Sequence, residues 1–368
     1  MVKSTCIKCV MDYTDPDLKI NESGICNHCE EYKLKIDKLN HNLDKLNILV
    51  NKIKSSKRGE YDCIIGLSGG VDSTYVAHLV VELGLKPLAI HFDNGWNSTI
   101  AVSNIKNIVE KLNIDLITYV VDWEEFADIQ KSFFFSGTPD IEIPTDHAIF
   151  SVLRKYRKKF KIRYVINGIN FRTESHHALS WSQGHSDWKY IKSIHNKFGK
   201  IPIKTFPHGN FFSLFQDRYS NKWVNILDFV LYDKEEAKKL IIKKYNWEDY
   251  GGKHFESVFT RFYQGYYLLK KFGYDKRKMH LSSLICSGKI LRDDALVELK
   301  KPTYPLELQN QDLKLIQKKL KISPNDWDFI MNQNPKTYFD YSSYYGKLLK
   351  STRLKKVINA IKHYLKNG

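Results

Sequence analysis

No apolar run in this chain approaches the roughly 18 residues of a membrane-spanning helix. The start, Met1-Val2-Lys3-Ser4-Thr5-Cys6, has no apolar signal-peptide core. The expectation is a cytoplasmic protein with no membrane insertion. Repeats and low-complexity tracts are also missing. Arginine is scarce among the 58 basic residues, although it is the side chain suited to bidentate phosphate and base contacts. The net charge of +17 asks for an anionic partner. Lysine-covered, solvated helix faces account for that charge equally well, and nucleic acid is not the expected partner. Otherwise the composition is that of an ordinary globular protein, long enough at 368 residues for one large or two modest domains.

Common phosphate signatures are absent too. There is no Gly-Lys-Ser/Thr ending of a Walker loop and no G-x-G-x-x-G. What is present is Ser68-Gly69-Gly70-Val71-Asp72-Ser73. The apolar run Tyr61 to Leu67 precedes it and a helix-like stretch, Thr74 to Leu83, follows. Glycines let backbone approach a ligand closely, and the N–H groups of the next helix favour an anion. Ser68 and Ser73 add hydroxyls. Asp72 suits a phosphate cradle if a divalent cation bridges it to the ligand. The hexapeptide resembles the SGGxDS pyrophosphate loop of the ATP pyrophosphatases, which split ATP between its α and β phosphates.

The alternation of apolar runs and helical patterns predicts strands at Cys63–Leu67, Pro87–Phe92, Asp115–Val121, Tyr164–Asn167 and Trp223–Leu227. Helices are expected at 71–84, 98–112 and 146–160. Strands separated by helices imply a doubly wound parallel α/β sheet with helices on both faces. Ligands bind beyond the carboxyl ends of such strands. The domain reading is a cysteine module at 1–32, a connecting helix at 33–59, the nucleotide domain at 60–232 and a mainly helical region at 233–368. Leu34, Ile36, Leu39, Leu43, Leu46 and Ile48 suggest the stripe of the connecting helix. The basic end, Ser342 to Leu365, is helix-like and receives no function.

Cys6-x2-Cys9 and Cys26-x2-Cys29 have the spacing of a zinc knuckle. Four thiolates make a closed, structural tetrahedral site. Without a signal peptide, paired disulfides are disfavoured, and an iron–sulfur or redox site is the other competitor. His28 reads as a spectator. Cys63 reads as buried in the first strand, and Cys286 lies near a helix end.

Several polar clusters sit at predicted strand ends. Asp93 and Asn94 fall where a ribose or adenine would approach, with Asn97 or Ser98 as helix cap. Thr145, Asp146 and His147 open a helix, and His147 is expected to face the crevice. Gly168 permits close backbone approach after the fourth strand, and Asn170, Thr173 and Glu174 cluster beside it. His185 and Trp188 belong to an aromatic and polar stretch suited to sugar or base stacking. Gly251-Gly252-Lys253 opens another helix. His254, Ser257 and Arg261 are expected on one face, with Lys253 and Arg261 poised to hold a departing pyrophosphate.

The ordered set resembles the N-acetyl sugar amidotransferases, pyrophosphate-loop enzymes that make acetamidino sugars for O-antigens and flagellin glycans. The segments that carry the likeness are Cys9-Val10-Met11-Asp12, Leu67–Ser73, Asp93–Ser98, Pro144–His147, Gly184–Trp188, Tyr250–Ser257 and His280–Ile285. Together they span roughly residues 6 to 300. One departure is Asn167-Gly168-Ile169-Asn170, where the family pattern carries a second glycine. The resemblance implies an adenine-nucleotide alpha-hydrolase type of sheet, with a zinc knuckle before it and a helical region after it. It implies ATP and Mg²⁺ as cofactors, with Asp72, Lys253 and Arg261 catalytic. Ser68 to Ser73 with Asp93, Asn94 and Gly168 would hold ATP and pyrophosphate. Thr145, Asp146, His147, Asn170, Thr173, Glu174, His185, Trp188 and His254 would hold the N-acetylated sugar.

ATP would adenylate the oxygen of an N-acetyl group, and ammonia would then displace AMP. Val2 stands where an N-terminal cysteine nucleophile would be, and neither Cys63 nor Cys286 sits in a glutaminase-like elbow. Ammonia is therefore expected from a partner resembling the two-subunit imidazole-glycerol-phosphate synthase. The rival from the same superfamily is a tRNA-thiolating enzyme. A non-enzymatic zinc adaptor is the alternative from another class.

Overall fold

The computed structural model describes residues 5–37, 39, 43–210, 222–344 and 346. Most of the basic segment 342–365 lies outside the described residues. Five parallel strands form one sheet: β1 (Cys63–Gly66), β2 (Pro87–Asp93), β3 (Asp115–Val120), β4 (Tyr164–Asn167) and β5 (Trp223–Asn225). Their order is β3-β2-β1-β4-β5. In register, Cys63 faces Pro87 on one side and Tyr164 on the other. The last predicted strand is shorter than expected, because the chain turns into a 3₁₀ helix at Ile226–Phe229.

The apolar runs explain why both faces are covered. Cys63 and Ile65 pack with Val76, Ala77 and Val80 of α3 (Val71–Glu82). Ile64 points the other way, onto Val152 and Leu153 of α6 (Ile143–Lys159). The connecting region is two helices, α1 (Asn27–Ile36) and α2 (Leu43–Ser55). Its buried stripe is Leu46, Val50 and Ile53. Leu34, Leu43 and Ile48 are exposed instead, so of the expected stripe Leu46 is the residue that is buried, and the buried face continues through Val50 and Ile53. The helix Lys234–Tyr245 packs against α3, through Ala237, Ile241 and Tyr245.

Chain order reverses beside β1. The walk β1, β2, β3 runs to one edge, and β4, β5 run to the other. A crevice therefore opens between the carboxyl ends of β1 and β4. A second, aromatic core closes one end of it. α5 (Trp123–Ser136), which the periodicity did not suggest, brings Phe126, Phe133 and Phe134 against Phe259, Phe262 and Trp327. α5 is bounded by ordinary signals: Asp122 accepts from the Glu125 N–H at 3.0 Å, and Gly137 ends it at φ +71°. Val258–Phe262 continues through a π turn, Tyr263–Tyr267, into Leu268–Phe272. Helices Arg277–Cys286, Arg292–Lys300, Leu306–Leu320 and Pro324–Asn332 follow.

Candidate active site and cysteine cluster

The pyrophosphate-type loop sits at the chain-order reversal. Gly69 has φ +79°, and a Cβ there would lie 2.4 Å from the Ala101 carbonyl oxygen, so only glycine fits. Its own carbonyl accepts from Trp247 Nε1 at 2.9 Å. Ser73 Oγ donates to the Gly70 carbonyl at 3.1 Å, and the Gly70 N–H donates to Ser68 Oγ at 3.3 Å. α3 begins after Gly70 with no side-chain cap. Its first-turn amides have no carbonyl of their own helix to serve, and its dipole favours an anion there. Across the crevice, Gly168 follows β4. A Cβ on Gly168 would come within 3.1 Å of Asp72 Cβ, which is the close approach its identity suggested.

Asp72 is not a bare carboxylate. The Tyr232 hydroxyl donates to Oδ1, and Lys234 Nζ lies 3.1 Å from Oδ2. Burial alone would raise this carboxyl. Lys234, the tyrosine hydroxyl and the nearby Lys253 together hold it below the ordinary aspartate range. Lys253 Nζ reaches Glu174 Oε1 at 3.5 Å and His280 Nδ1 at 3.2 Å. Burial, then the charges of Lys253 and Lys234, push His280 down to about 3. It is therefore neutral and accepts from the ammonium. Tyr232, Lys234 and His280 were not among the expected site residues. Two lysines converge beside the loop, and one of them comes from a helix without any local phosphate motif.

A cavity of about 450 Å³ runs from Ser68 and Gly168 past Asn94, Asn97 and Trp223 to Asp140, Glu142, Thr145, Asp146 and Lys276. Ile149, Phe150 and Leu153 form an apolar wall. His254 (φ +64°) and Glu256 line it near the loop. Burial would raise the Glu256 carboxyl, but His254, 3.5 Å away, brings it below its usual range. Glu256 Oε2 is buried and has no hydrogen-bond partner. That orphaned oxygen beside the loop, with Asp72, fits a divalent cation carried in with a nucleotide.

The far end is acidic. His185 Nε2 lies 3.4 Å from Asp140 Oδ2 and 3.3 Å from Asp146 Oδ2. Desolvation would lower His185, yet Asp140 and Asp146 raise it. Glu142 accepts from Thr260 Oγ1 at 2.5 Å. Desolvation first, then the neighbouring Asp146 and Asp140, push Glu142 up to about 8. Glu142 and Asp140 were missed because they precede a helix as ordinary turn residues, whereas Lys276, in a basic run that reads as either a further contact or solvated charge, lines the cavity.

Several expected site residues are elsewhere. His147 is fully buried. Its Nδ1 bonds the His185 carbonyl at 2.8 Å, its Nε2 accepts from the Gly209 N–H at 3.2 Å, and its ring stacks on Trp188 and Phe206. Both nitrogens are spent, and burial pushes it down to about 4. It is a core histidine and does not face the crevice. Trp188 stacks on His208 at 4.3 Å and does not line the cavity. Asn170 is buried and builds a turn, its Oδ1 accepting from the Thr173 N–H and Oγ1, both at 2.9 Å. Neither reaches the cavity wall. Asp93 Oδ1 takes the Gly95 N–H at 2.9 Å and shapes its own turn, leaving Asn94 to line the cavity. Ser98, not Asn97, caps α4 (Thr99–Leu112).

Arg261 is the largest correction. The helix begins at Val258 with Ser257 as its cap, so His254 lies outside it. The Arg261 guanidinium grips Asp312 with two bonds, 2.9 and 2.7 Å long, over the Phe255 ring. It ties two C-terminal helices together, away from the cavity lining. Arg261→Met should therefore cost about 3–5 kcal/mol by stranding the buried Asp312 and lower the melting temperature. The protein that remains folded should keep its activity, as thermal melts paired with turnover at low temperature would show.

The cysteine module folds as the spacing suggested. Cys6, Cys9, Cys26 and Cys29 are buried, and their sulfurs lie within 4.8 Å of one another. Cys6–Cys29 is 4.0 Å and Cys9–Cys26 is 3.7 Å, near the edge of about 3.8 Å expected for sulfurs 2.3 Å from a tetrahedral zinc. The Cys26 N–H points at Cys6 Sγ at 3.3 Å and the Met11 N–H at Cys9 Sγ at 3.5 Å, which suits thiolate charge. His28 instead bonds Asp15 at 2.8 Å. The module is fastened to the C-terminal helices. Arg292 donates to the carbonyls of Cys9 and Cys6 at 3.0 and 3.1 Å, and the Val10 N–H donates to Ser282 Oγ at 3.2 Å.

Residues 62–170 match the family model described as queuosine biosynthesis protein QueC. Residues 256–355 match that of the LPS biosynthesis protein WbpG-like C-terminal domain. The chain is thus similar to a pyrophosphate-loop family over its sheet and to a WbpG-like family over its C-terminal helices. The first match begins one residue before β1 and takes in the loop and β4; the second takes in the π turn and the helices that hold the cysteine module. A curated tRNA(Ile)-lysidine synthase of Chlamydia pneumoniae is 31% identical over 67 residues, 18% of this chain and 21% of that relative. The chain thus aligns with about a fifth of that relative's length. Among solved structures, NMN synthetase from Francisella tularensis is 17% identical with a TM-score of 0.38. The NH3-dependent NAD synthetase from Campylobacter jejuni is 14% identical with a TM-score of 0.33. Each of these two alignments covers 80% of this chain and 97% of the other. Likenesses this loose carry no argument about mechanism. No helix among the described residues is long and apolar enough to cross a membrane.

Proposed function

We propose that this WbpG-like protein is an ATP-dependent amidotransferase that turns the N-acetyl group of a bacterial surface-glycan sugar into an acetamidino group. The observation that carries the reading is a single cavity with a phosphate-type loop at one end and a carboxylate-rich, partly apolar chamber at the other. ATP with Mg²⁺ belongs at the loop end, where Ser68, Ser73 and the first-turn amides of α3 would hold phosphate, and Asp72 and Glu256 would face the cation. The ion screens phosphate charge when bound. The amide oxygen of the acceptor attacks the α phosphorus, and the bond to the β-phosphate side breaks to release pyrophosphate. Lys234 and Lys253 stabilise the negative charge that grows on it. Ammonia then adds to the activated carbon, the original amide oxygen leaves with AMP, and a C–N bond replaces C–O. Glu142 is the group suited to take a proton from the incoming nitrogen, since it lines the chamber and burial pushes its carboxyl up to about 8.

No cysteine is among the described residues lining the cavity. A tRNA-thiolating reaction would need a sulfur carrier there, so this observation favours the amidotransferase. A partner glutaminase resembling the imidazole-glycerol-phosphate synthase pair supplies the ammonia. The test is pyrophosphate and AMP formation by the full chain with a panel of N-acetylated nucleotide sugars and nonulosonic acids. Ammonium salts should support turnover and glutamine should not. Turnover of glutamine by the pure chain removes the partner from the proposal, and absence of AMP with every acceptor removes the proposal itself.

The same reading gives the Cys6, Cys9, Cys26 and Cys29 set a structural zinc. Metal binding then supplies folding free energy to a module too small to fold alone. Stripping the metal with a strong chelator, or Cys9→Ser, should unfold residues 5–37 while leaving the sheet intact. Hydrogen exchange resolved by segment measures this, and an unchanged module after metal loss contradicts it.

A further inference from the structure

A closed four-thiolate site needs no further ligands, yet two more soft groups touch it. Cys286 Sγ lies 3.5 Å from Cys29 Sγ. His176 Nε2 lies 3.9 Å from Cys29 Sγ and 3.9 Å from Cys286 Sγ. These three ligand atoms form a triangle of their own, with Cys29 shared between it and the first cluster. Around zinc, sulfur–sulfur and sulfur–nitrogen edges are about 3.8 and 3.6 Å, so the triangle is within a few tenths of an ångström of a coordinating face.

The histidine is oriented for the task. Ser283 Oγ donates to the Met279 carbonyl at 3.0 Å, so toward His176 it acts as an acceptor. It receives the His176 backbone N–H at 3.2 Å and stands 3.2 Å from Nδ1. Ser175 Oγ is 3.0 Å from the same nitrogen and donates to Ser283 Oγ at 3.2 Å. Both hydroxyl oxygens can accept a hydrogen bond from a protonated Nδ1, the tautomer that leaves the Nε2 lone pair free toward the two sulfurs. A hydroxyl holding one imidazole nitrogen while the other faces thiolates is the outer-shell arrangement of a metal-ligating histidine.

We propose that Cys29, His176 and Cys286 bind a second thiophilic divalent ion, zinc in the first instance, with the Cys29 thiolate bridging it to the ion of the four-cysteine site. Three protein ligands leave the fourth position to solvent, which the partly exposed Cys286 can admit. The three ligands come from the N-terminal module, the segment after β4, and the helix Arg277–Cys286. Two residues before His176 stands Glu174, and His280 lies on the same helix as Cys286. Both flank Lys253. The second ion thus fixes the two supports of a lysine beside the pyrophosphate-type loop. The inference rests on the zinc reading of the four-cysteine site and does not depend on the reaction proposed above.

The experiment is metal stoichiometry of the full chain prepared with excess zinc and desalted, read by native mass spectrometry. Wild type should hold two ions. Cys286→Ser and, separately, His176→Ala should hold one and keep the module folded. In cadmium-loaded protein labelled with the NMR-active isotope, two resonances should couple through the shared sulfur, and Cys286→Ser should leave one uncoupled set. One ion in wild type and variants alike overturns the proposal. So does a Cys29–Cys286 disulfide found in the intact mass, or an iron–sulfur absorption in protein grown with iron. Should either variant fail to fold, the cadmium spectrum of the wild type alone decides.

Discussion

Lys234→Met should cut pyrophosphate release by about 10²–10³-fold, the loss typical of one preorganised donor facing developing charge. Lys234 is held in place by its ion pair with Asp72 and sits beside α3's first turn. Burial would lower its pKa, but Asp72 raises it, so it stays charged throughout the working pH range. Methionine keeps the length and apolar stem and removes only the charge. Lys239→Met, on the same helix but exposed at 72%, is the control and should change nothing. The assay is pyrophosphate release with the best acceptor, after circular dichroism has shown both variants folded. Full activity in Lys234→Met would mean that the lysine merely neutralises Asp72.

Glu142→Gln should lower ammonia-dependent product formation by about 10²-fold while leaving ATP–pyrophosphate exchange near wild type. The pH dependence separates this from a packing defect. Glu142 titrates at about 8, and only its ionised form takes a proton. At constant free ammonia, the wild-type rate should therefore climb as pH rises through about 8, and the glutamine variant should lose that limb. Stability moves the opposite way. The folded chain binds this proton more tightly than the unfolded chain does, so the carboxyl costs stability as pH rises from the ordinary glutamate range through about 8. Glu142→Gln should raise the melting temperature at pH 9 relative to wild type and have little effect at pH 4.

The sequence carried the sheet well, because buried parallel strands are short apolar runs and β1, β2 and β4 begin where those runs begin. Ser68–Ser73 was legible because a phosphate loop is local chemistry: strand, glycine turn and helix lie within about a dozen residues. The cysteine pairs were legible for the same reason. α5 was not, because Phe133-Phe134-Phe135 has no clear helical period, although Asp122 and Gly137 mark its ends. Lys234, Tyr232 and Glu142 were not, because their importance is a matter of what the fold brings across the crevice. Arg261 and His147 were misassigned for the converse reason. Charge and imidazole near a motif look functional in one dimension, and the structure spends both on packing. Cys286 looked isolated, 257 positions from Cys29, and only the docking of the module against the last helices brings the two sulfurs together.

The π turn at Tyr263–Tyr267 has a consequence for how this cavity came to be. A π turn is a helix that has absorbed one additional residue. Here Tyr263 and Gln264, at its start, form part of the cavity wall. Deleting one residue from it would restore a regular helix whose flanks keep their faces, because the turn absorbs the additional residue locally. Buried Leu268 would keep its place, and Tyr263 and Gln264 would lose theirs in the wall. In lineage terms, a one-codon insertion would have given an ancestral helix a new wall without disturbing the core on either side, and a one-codon deletion here tests whether core and cavity can still be satisfied together.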